Sequence, residues 1–131
     1  MNPYFIPATD SSPEVYFDLQ KNIFQIRGKS VFTDADKFYS SAIEWLKSAE
    51  GKLKGQINFI FDLEYFNIIS SKRILFVLYT LNEMRAKGIE ISITWNFSLD
   101  DDDMREVGED YSYMVNIPFQ FVCKQTETEI L

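Results

Sequence analysis

The residues from 57 to 95 contain the pattern that most constrains the fold. The run from Ile57 to Leu63 is dense in apolar and aromatic residues, which predicts a central strand covered on both faces. A helical stripe of apolar residues, spaced three and four apart, follows it and ends at Gly88. The alternating segment from Ile89 to Trp95 predicts another strand. This order predicts two parallel strands joined by a right-handed crossover.

The other segments extend the same alternation of strands and helices. They predict strands at 15–19, 23–27 and 119–123, the last as an edge strand, and helices from Asp34 or Asp36 to about Ala49 and from Asp100 to about Val115. The chain is therefore expected to form one α/β domain over residues 1–131. Its mixed sheet has four or five strands with about three helices, and residues 124–131 form a mobile tail.

The charge of the chain excludes several classes of function. With 20 acidic and 13 basic residues the formal net charge is -7, which disfavours nucleic acid and anionic membrane surfaces. No apolar run approaches the roughly 20 residues that span a bilayer. The residues from Met1 to Pro7 lack the pattern of a secretory signal. We therefore expect a cytoplasmic protein with no membrane insertion.

The histidine and cysteine content argues against catalysis. The 131 residues include no histidine, which removes the usual general base near neutral pH and the commonest transition-metal ligand. The single cysteine, Cys123, cannot form an internal disulfide and lies in an apolar run that predicts a buried side chain. We expect a protein that is not an enzyme and has no cofactor.

An acidic cluster opens the helix predicted to begin near Asp100. Four aspartates, Asp100 to Asp103, are followed by Glu106, Glu109 and Asp110. The spacing lacks the central glycine of a calcium loop. Aspartates at a helix start favour capping and the helix dipole, so no metal site is predicted there. An acidic surface for a partner and a small metal-dependent activity remain as alternatives.

The segment from Tyr65 to Lys72 joins the central strand to the next helix. Asn67, Ser70 and Ser71 are all residue types that cap helix N-termini. A phosphate on Ser70 or Ser71 would gain from the helix dipole and add close to two negative charges at an exposed end of the sheet. Both capping and a phosphorylation switch fit this segment.

The chain resembles the SiaC-type bacterial regulatory phosphoproteins, which have a fold like that of STAS domains and anti-sigma-factor antagonists. The resemblance covers nearly the whole chain. It rests on the order of Ala8-Thr9, Ser12-Pro13-Glu14-Val15, Gly28-Lys29-Ser30, Phe38-Tyr39, Trp45-Leu46, Tyr65-Phe66-Asn67, Ser70-Ser71-Lys72, Trp95, Asp100 to Met104, Gly108-Glu109-Asp110 and Pro118-Phe119.

This resemblance implies a non-enzymatic adaptor that a kinase phosphorylates, a phosphatase dephosphorylates, and whose unmodified form activates a diguanylate cyclase. Cyclic-di-GMP signalling and biofilm behaviour would follow. The family's phosphoacceptor threonine corresponds to Ile68, which has no hydroxyl group. Ser70 and Ser71 are therefore the candidate acceptors. The alternatives are constitutive binding without phosphocontrol and a small-ligand carrier with an apolar pocket between sheet and helices.

We expect the partner interface on this same strand-to-helix segment, at the exposed end of the sheet, where a phosphate could switch it. The candidate interface residues are Tyr65, Phe66, Asn67, Ile68, Ile69 and Lys72.

Overall fold

The computed structural model describes residues 1–124. They form six strands and three helices. In chain order these are β1 (Tyr4–Ile6), β2 (Glu14–Asp18), β3 (Ile23–Ser30), α1 (Ala35–Ala49), β4 (Gln56–Phe66), α2 (Ile68–Ala86), β5 (Glu90–Ser98), α3 (Asp102–Met114) and β6 (Phe119–Lys124), with a 3-10 turn at Glu50–Lys52 after α1. No helix in this part of the chain is long and apolar enough to cross a membrane.

The six strands form one sheet in which their order in space equals their order along the chain. The strands β1, β2 and β3 pair antiparallel, and β3, β4, β5 and β6 pair parallel. The sheet is therefore mixed, as predicted. Each parallel connection steps one strand in the same direction, and right-handed crossovers in one direction place their helices on one face.

The helices cover only one face of the sheet, so the prediction of a β4 covered on both faces was wrong. Alternate residues of β4, among them Phe59 and Phe61, are buried under the helices. Asn58 between them is exposed and accepts hydrogen bonds from the hydroxyl groups of Ser92 (3.1 Å) and Thr94 (3.0 Å) on β5. The buried aromatic residues of β4 therefore pack in a single layer, between the sheet and the helices.

Three further differences concern the ends of the chain. The strand β1 was not predicted, so the sheet has six strands rather than four or five. Its Tyr4 stacks on Phe17 (ring centroids 5.9 Å apart) and contacts Trp45 (6.2 Å), which holds this short strand against the core. Of the predicted mobile tail, Lys124 lies in β6 and residues 125–131 lie outside the described residues. Cys123 is exposed on edge strand β6, so its predicted burial was wrong.

The space between the helices and the sheet is filled by side chains. Fully buried aromatic residues line the centre of the core, among them Phe17, Phe59, Phe61 and Trp95. Their rings lie 5.0–5.4 Å apart from one residue to the next. This close packing leaves little room for a small ligand at the centre of the layer.

The helix α3 approaches the sheet closely at Gly108. A Cβ atom at this position would lie 2.4 Å from Nε1 of Trp95, which is fully buried on β5 and donates a hydrogen bond to the Met104 carbonyl (2.9 Å). Only glycine fits between the helix backbone and the indole ring.

We therefore expect Gly108→Ala to destabilise the protein. Overpacking of this kind costs about 1–3 kcal/mol. The loss of the indole hydrogen bond costs about 1 kcal/mol, and the better helix propensity of alanine regains about 1 kcal/mol. Urea unfolding should give a net loss of about 1–3 kcal/mol. The control is Gly51→Ala, where an added Cβ meets no atom within 4 Å; equal stability of the two variants would contradict the prediction.

Candidate functional site

The carboxyl ends of β3, β4 and β5 lie at one edge of the sheet, because these strands are parallel neighbours. The helices α1, α2 and α3 all begin after these ends. This edge, which we call the carboxyl edge, therefore collects three helix N-termini. The predicted strand-to-helix segment from Tyr65 to Lys72 lies there, at the end of β4 and the start of α2.

A β-bulge between β3 and β4 sets the direction of the side chains that enter this segment. Gly28 pairs with Leu63, but Lys29 pairs with Tyr65, so β4 contributes one additional residue there. Gly28 has a φ of 118°, which glycine adopts readily. The extra residue reverses the alternation of β4, so Tyr65 becomes 59% exposed and Phe66 packs against the core.

The first turn of α2 exposes apolar side chains. Ile68 is 79% exposed and Ile69 is 44% exposed, and Lys72 follows them on the exposed side of the helix. Together with Tyr65, these residues form an apolar surface with one positive charge, which we call the α2 docking surface. Exposed apolar residues that cluster in this way commonly mark sites of protein interaction.

Asn67 caps α2, as its residue type predicts. Its side-chain oxygen accepts a hydrogen bond from the Ser70 amide (2.9 Å), and its carbonyl accepts one from the Ser71 amide (2.9 Å). Its own amide donates to the Ser30 carbonyl at the end of β3 (3.0 Å). The start of α2 is thus tied to the neighbouring strand as well as capped.

The two candidate acceptors differ in exposure. Ser70 is 0% exposed, and its Oγ accepts a hydrogen bond from the Ser30 hydroxyl (2.7 Å). Ser71 is partly exposed; its hydroxyl donates to the Ile68 carbonyl (2.6 Å), and its carbonyl accepts from the Tyr111 hydroxyl (2.8 Å). Solvent therefore reaches Ser71 but not Ser70.

A buried group of hydroxyls beneath α2 was not predicted. The Ser30 and Tyr39 hydroxyl oxygens lie 2.7 Å apart, which extends the Ser70 contact to α1. Burial raises the pKa of Tyr39 to about 12, and its hydrogen bond with Ser30 opposes this shift only in part, so its hydroxyl keeps its proton at neutral pH. One signal was available, because Tyr39 shares the helical spacing of Ala42 and Leu46, which are also buried.

Several acidic residues at the start of α3 and within it make contacts inside that helix. The Asp101 side chain caps the helix by accepting from the Met104 amide (3.0 Å). Arg105 pairs with Glu109 (2.6 Å) and lies 3.9 Å from Asp102. The hydrogen bond with Glu109 is the main cause that raises the pKa of Arg105. Among the described residues, no group of three or more acidic, cysteine or histidine side chains could hold a metal ion.

A shallow groove adjoins the α2 docking surface. It has a volume of about 220 Å³ and lies between the end of β4 and the start of α3. Its lining residues are Tyr65, Phe66, Asp101, Asp103, Met104 and Val107. A second open groove of about 430 Å³ lies at the opposite edge of the sheet, near Arg85 and Glu90.

The fold and the carboxyl edge define the chain as a small two-layer α/β domain that exposes a group of apolar side chains at the beginning of a helix. The chain belongs to the SiaC family of regulatory phosphoproteins, whose family model matches residues 6–124.

Solved structures have the same fold. Apo-SiaC from Pseudomonas aeruginosa is 23% identical, with a TM-score of 0.84 over 93% of this chain and 99% of that one. A chain in the crystal structure of the diguanylate cyclase SiaD in complex with its activator SiaC, from the same organism, is 21% identical, with a TM-score of 0.85 over 92% of this chain and 99% of that one. An uncharacterised protein of Pseudomonas aeruginosa is 23% identical over 119 residues, which are 91% of this chain and 94% of that protein.

Proposed function

We propose that this protein is a non-enzymatic adaptor of the cytoplasm that binds and activates a diguanylate cyclase through the α2 docking surface. Its family membership and the activator role of SiaC toward SiaD support this function. The observation that carries the proposal is the exposure of Tyr65, Ile68 and Ile69 at the start of α2. When a partner covers an exposed apolar surface of this kind, the removal of apolar area from water stabilises the complex.

A reconstitution experiment tests this function. The chain would be mixed with each purified diguanylate cyclase encoded by its own genome, and cyclic-di-GMP would be measured by chromatography. We expect one cyclase to be stimulated at a stoichiometric amount of the chain. If no cyclase binds the chain or is stimulated by it, the proposed function is wrong.

We further propose that Ser71 is the phosphoacceptor through which a kinase and a phosphatase switch the adaptor. Solvent reaches Ser71 but not Ser70. A phosphate on Ser71 would add close to two negative charges beside Ile68 and Ile69. A partner that covers these apolar residues would then bury the phosphate away from water or place its own negative charges near it. Either cost lowers the affinity of the partner for the chain.

We expect Ser71→Asp to weaken the cyclase complex by about tenfold or more, because a carboxylate beside an apolar interface adds a desolvation cost. Calorimetric titration of the cyclase gives the affinity. The control is Ser71→Ala, which removes the hydroxyl group without adding charge and should bind like the wild type. An unchanged affinity of Ser71→Asp would count against this interface.

Constitutive binding is the second candidate function. It is favoured by Ile68, which is exposed at the family's acceptor position and has no hydroxyl group to modify. Peptide mass spectrometry of the chain purified from its own cells, with and without phosphatase treatment, separates the two candidates. Phosphate on Ser71 supports the switch, whereas an unmodified chain under every growth condition supports constitutive binding.

A further inference from the structure

Three buried hydroxyl groups lie directly beneath the α2 docking surface. We propose that Tyr39 is a positioning residue for partner binding: it acts through Ser30 and Ser70 to hold the first turn of α2 in the shape that the partner recognises. This inference rests on the proposed function, because it concerns the binding of the same cyclase at the same surface.

The hydrogen bonds of these three groups have a defined direction. Ser30 donates its only hydroxyl hydrogen to Ser70 Oγ, at 2.7 Å. The hydroxyl of Tyr39, 2.7 Å from Ser30 Oγ, must then be the donor in that second contact. Tyr39 on α1 thereby orients the hydroxyl group of Ser30 on β3, and Ser30 in turn binds Ser70 on α2.

Ser30 holds the first turn of α2 at two points. Its carbonyl accepts from the Asn67 amide (3.0 Å), and its hydroxyl donates to Ser70. Ile68 and Ile69, the exposed residues of the docking surface, lie between these two anchored residues. Their backbone positions are therefore determined by contacts that lie inside the protein.

The burial of the group makes this arrangement hard to replace. Tyr39, Ser30 and Ser70 are each 0% exposed, so no water is available to satisfy a hydroxyl group that loses its partner. A shifted first turn would leave at least one of these groups unpaired. The turn is thus preorganised, which lowers the cost of ordering it when a partner binds.

The burial of Tyr39 also separates positioning from contact. Tyr39 lies in the N-terminal half of α1 and is 0% exposed, so it cannot touch a partner bound to the outer side of α2. Any effect of its hydroxyl group on affinity must therefore pass through the first turn of α2.

Tyr39→Phe tests the proposal, because it removes the hydroxyl group and keeps the ring that packs in the core. Hydrogen exchange, followed by NMR, would be measured at the Asn67, Ser70 and Ser71 amides. We expect exchange at these three amides to become about tenfold faster, while amides in the last turn of α2 keep their rates. The cyclase affinity should fall by about three- to tenfold.

Tyr16→Phe is the matched control. It also removes a tyrosine hydroxyl that donates a hydrogen bond, to Asp18 (3.1 Å), but in the hairpin of β2 and β3. It should leave both exchange at the start of α2 and cyclase affinity unchanged. Ser70→Ala, which removes the acceptor at the other end of the group, should reproduce the Tyr39→Phe result.

The outcomes separate this inference from the proposed function. If the wild type binds the cyclase and Tyr39→Phe binds it with the same affinity, the inference is wrong but the proposed function stands. Equal acceleration of exchange across the whole protein would also overturn it, because the hydroxyl would then serve general stability only. If the wild type binds no cyclase, the proposed function fails and the inference fails with it.

Discussion

Ser70→Asp is expected to destabilise the protein by about 2–4 kcal/mol at neutral pH, while Ser71→Asp changes stability by less than about 1 kcal/mol. The reason is the burial of Ser70, which is 0% exposed and faces Ser30. An unpaired carboxylate in such a place loses its hydration and costs several kcal/mol, of which the helix dipole returns about 1 kcal/mol. Ser71 is partly exposed, so its carboxylate stays hydrated.

The pH dependence of Ser70→Asp provides an independent check. Burial raises the pKa of a carboxyl group above its value in the unfolded chain, because it disfavours the charged form. The penalty is therefore present at neutral pH and decreases as the pH falls through the folded-state pKa. Urea unfolding between about pH 7.5 and 5 should show the variant approaching the wild type, whereas neutral Ser70→Asn should keep a constant difference. A pH-independent difference for Ser70→Asp would show that charge burial is not the cause.

The expected loss of stability in Ser70→Asp also predicts which serine a kinase can phosphorylate. A phosphate carries more charge than a carboxylate and is larger, so the folded chain should not accept one on Ser70. Kinase treatment followed by peptide mass spectrometry should find Ser71 modified and Ser70 unmodified. Phosphate on Ser70 of the folded chain would require the first turn of α2 to open.

Ile68→Asp is expected to weaken cyclase binding by about 30-fold or more. Ile68 is the most exposed apolar residue of the α2 docking surface, at 79%, and a residue that anchors the centre of an interface contributes about 2 kcal/mol or more. The substitution should not unfold the protein, because an aspartate in the first turn of a helix interacts favourably with the helix dipole. Calorimetric titration and a thermal unfolding curve measure the two properties separately.

The matched control for Ile68→Asp is Tyr113→Asp. Tyr113 is also a highly exposed apolar residue, at 85%, but it lies near the end of α3 and is not part of the α2 docking surface. It should bind the cyclase like the wild type. If the two variants lose affinity equally, net charge rather than the docking surface controls binding; if neither does, the surface lies elsewhere.

The alternation of strands and helices was predictable because most long elements contain a recognisable period. The apolar stripe from Ile74 to Met84 in α2 and the alternation of β5 lie where the sequence predicts them, although α2 also exposes apolar residues such as Phe76. The strand β1 was missed because its three residues, between Pro3 and Pro7, have too short a pattern to detect. Its stability comes from pairing with β2 and from the contact of Tyr4 with Phe17, which are properties of the folded chain.

The location of the candidate site was predictable, but the roles of its two serines were not. The capping types Asn67, Ser70 and Ser71 mark a helix start in any sequence. Adjacent residues of a helix point about 100° apart, so only the packing of α2 decides which serine faces the core. Ser70 contacts Ser30 on β3, and Ser30 contacts Tyr39 on α1. These two residues lie forty and thirty-one positions earlier in the chain than Ser70, and no local pattern connects them.

The equality of strand order in space and along the chain has a consequence for synthesis on the ribosome. Each strand from β2 to β6 pairs with the strand made immediately before it, so every new strand can add to an edge that already exists. Many parallel sheets instead place a later strand between earlier ones, which must wait for it. A chain emerges from the ribosome at about 5–20 residues per second, so successive strands appear at intervals of seconds. The strand order allows this protein to add each of them to the sheet as it appears.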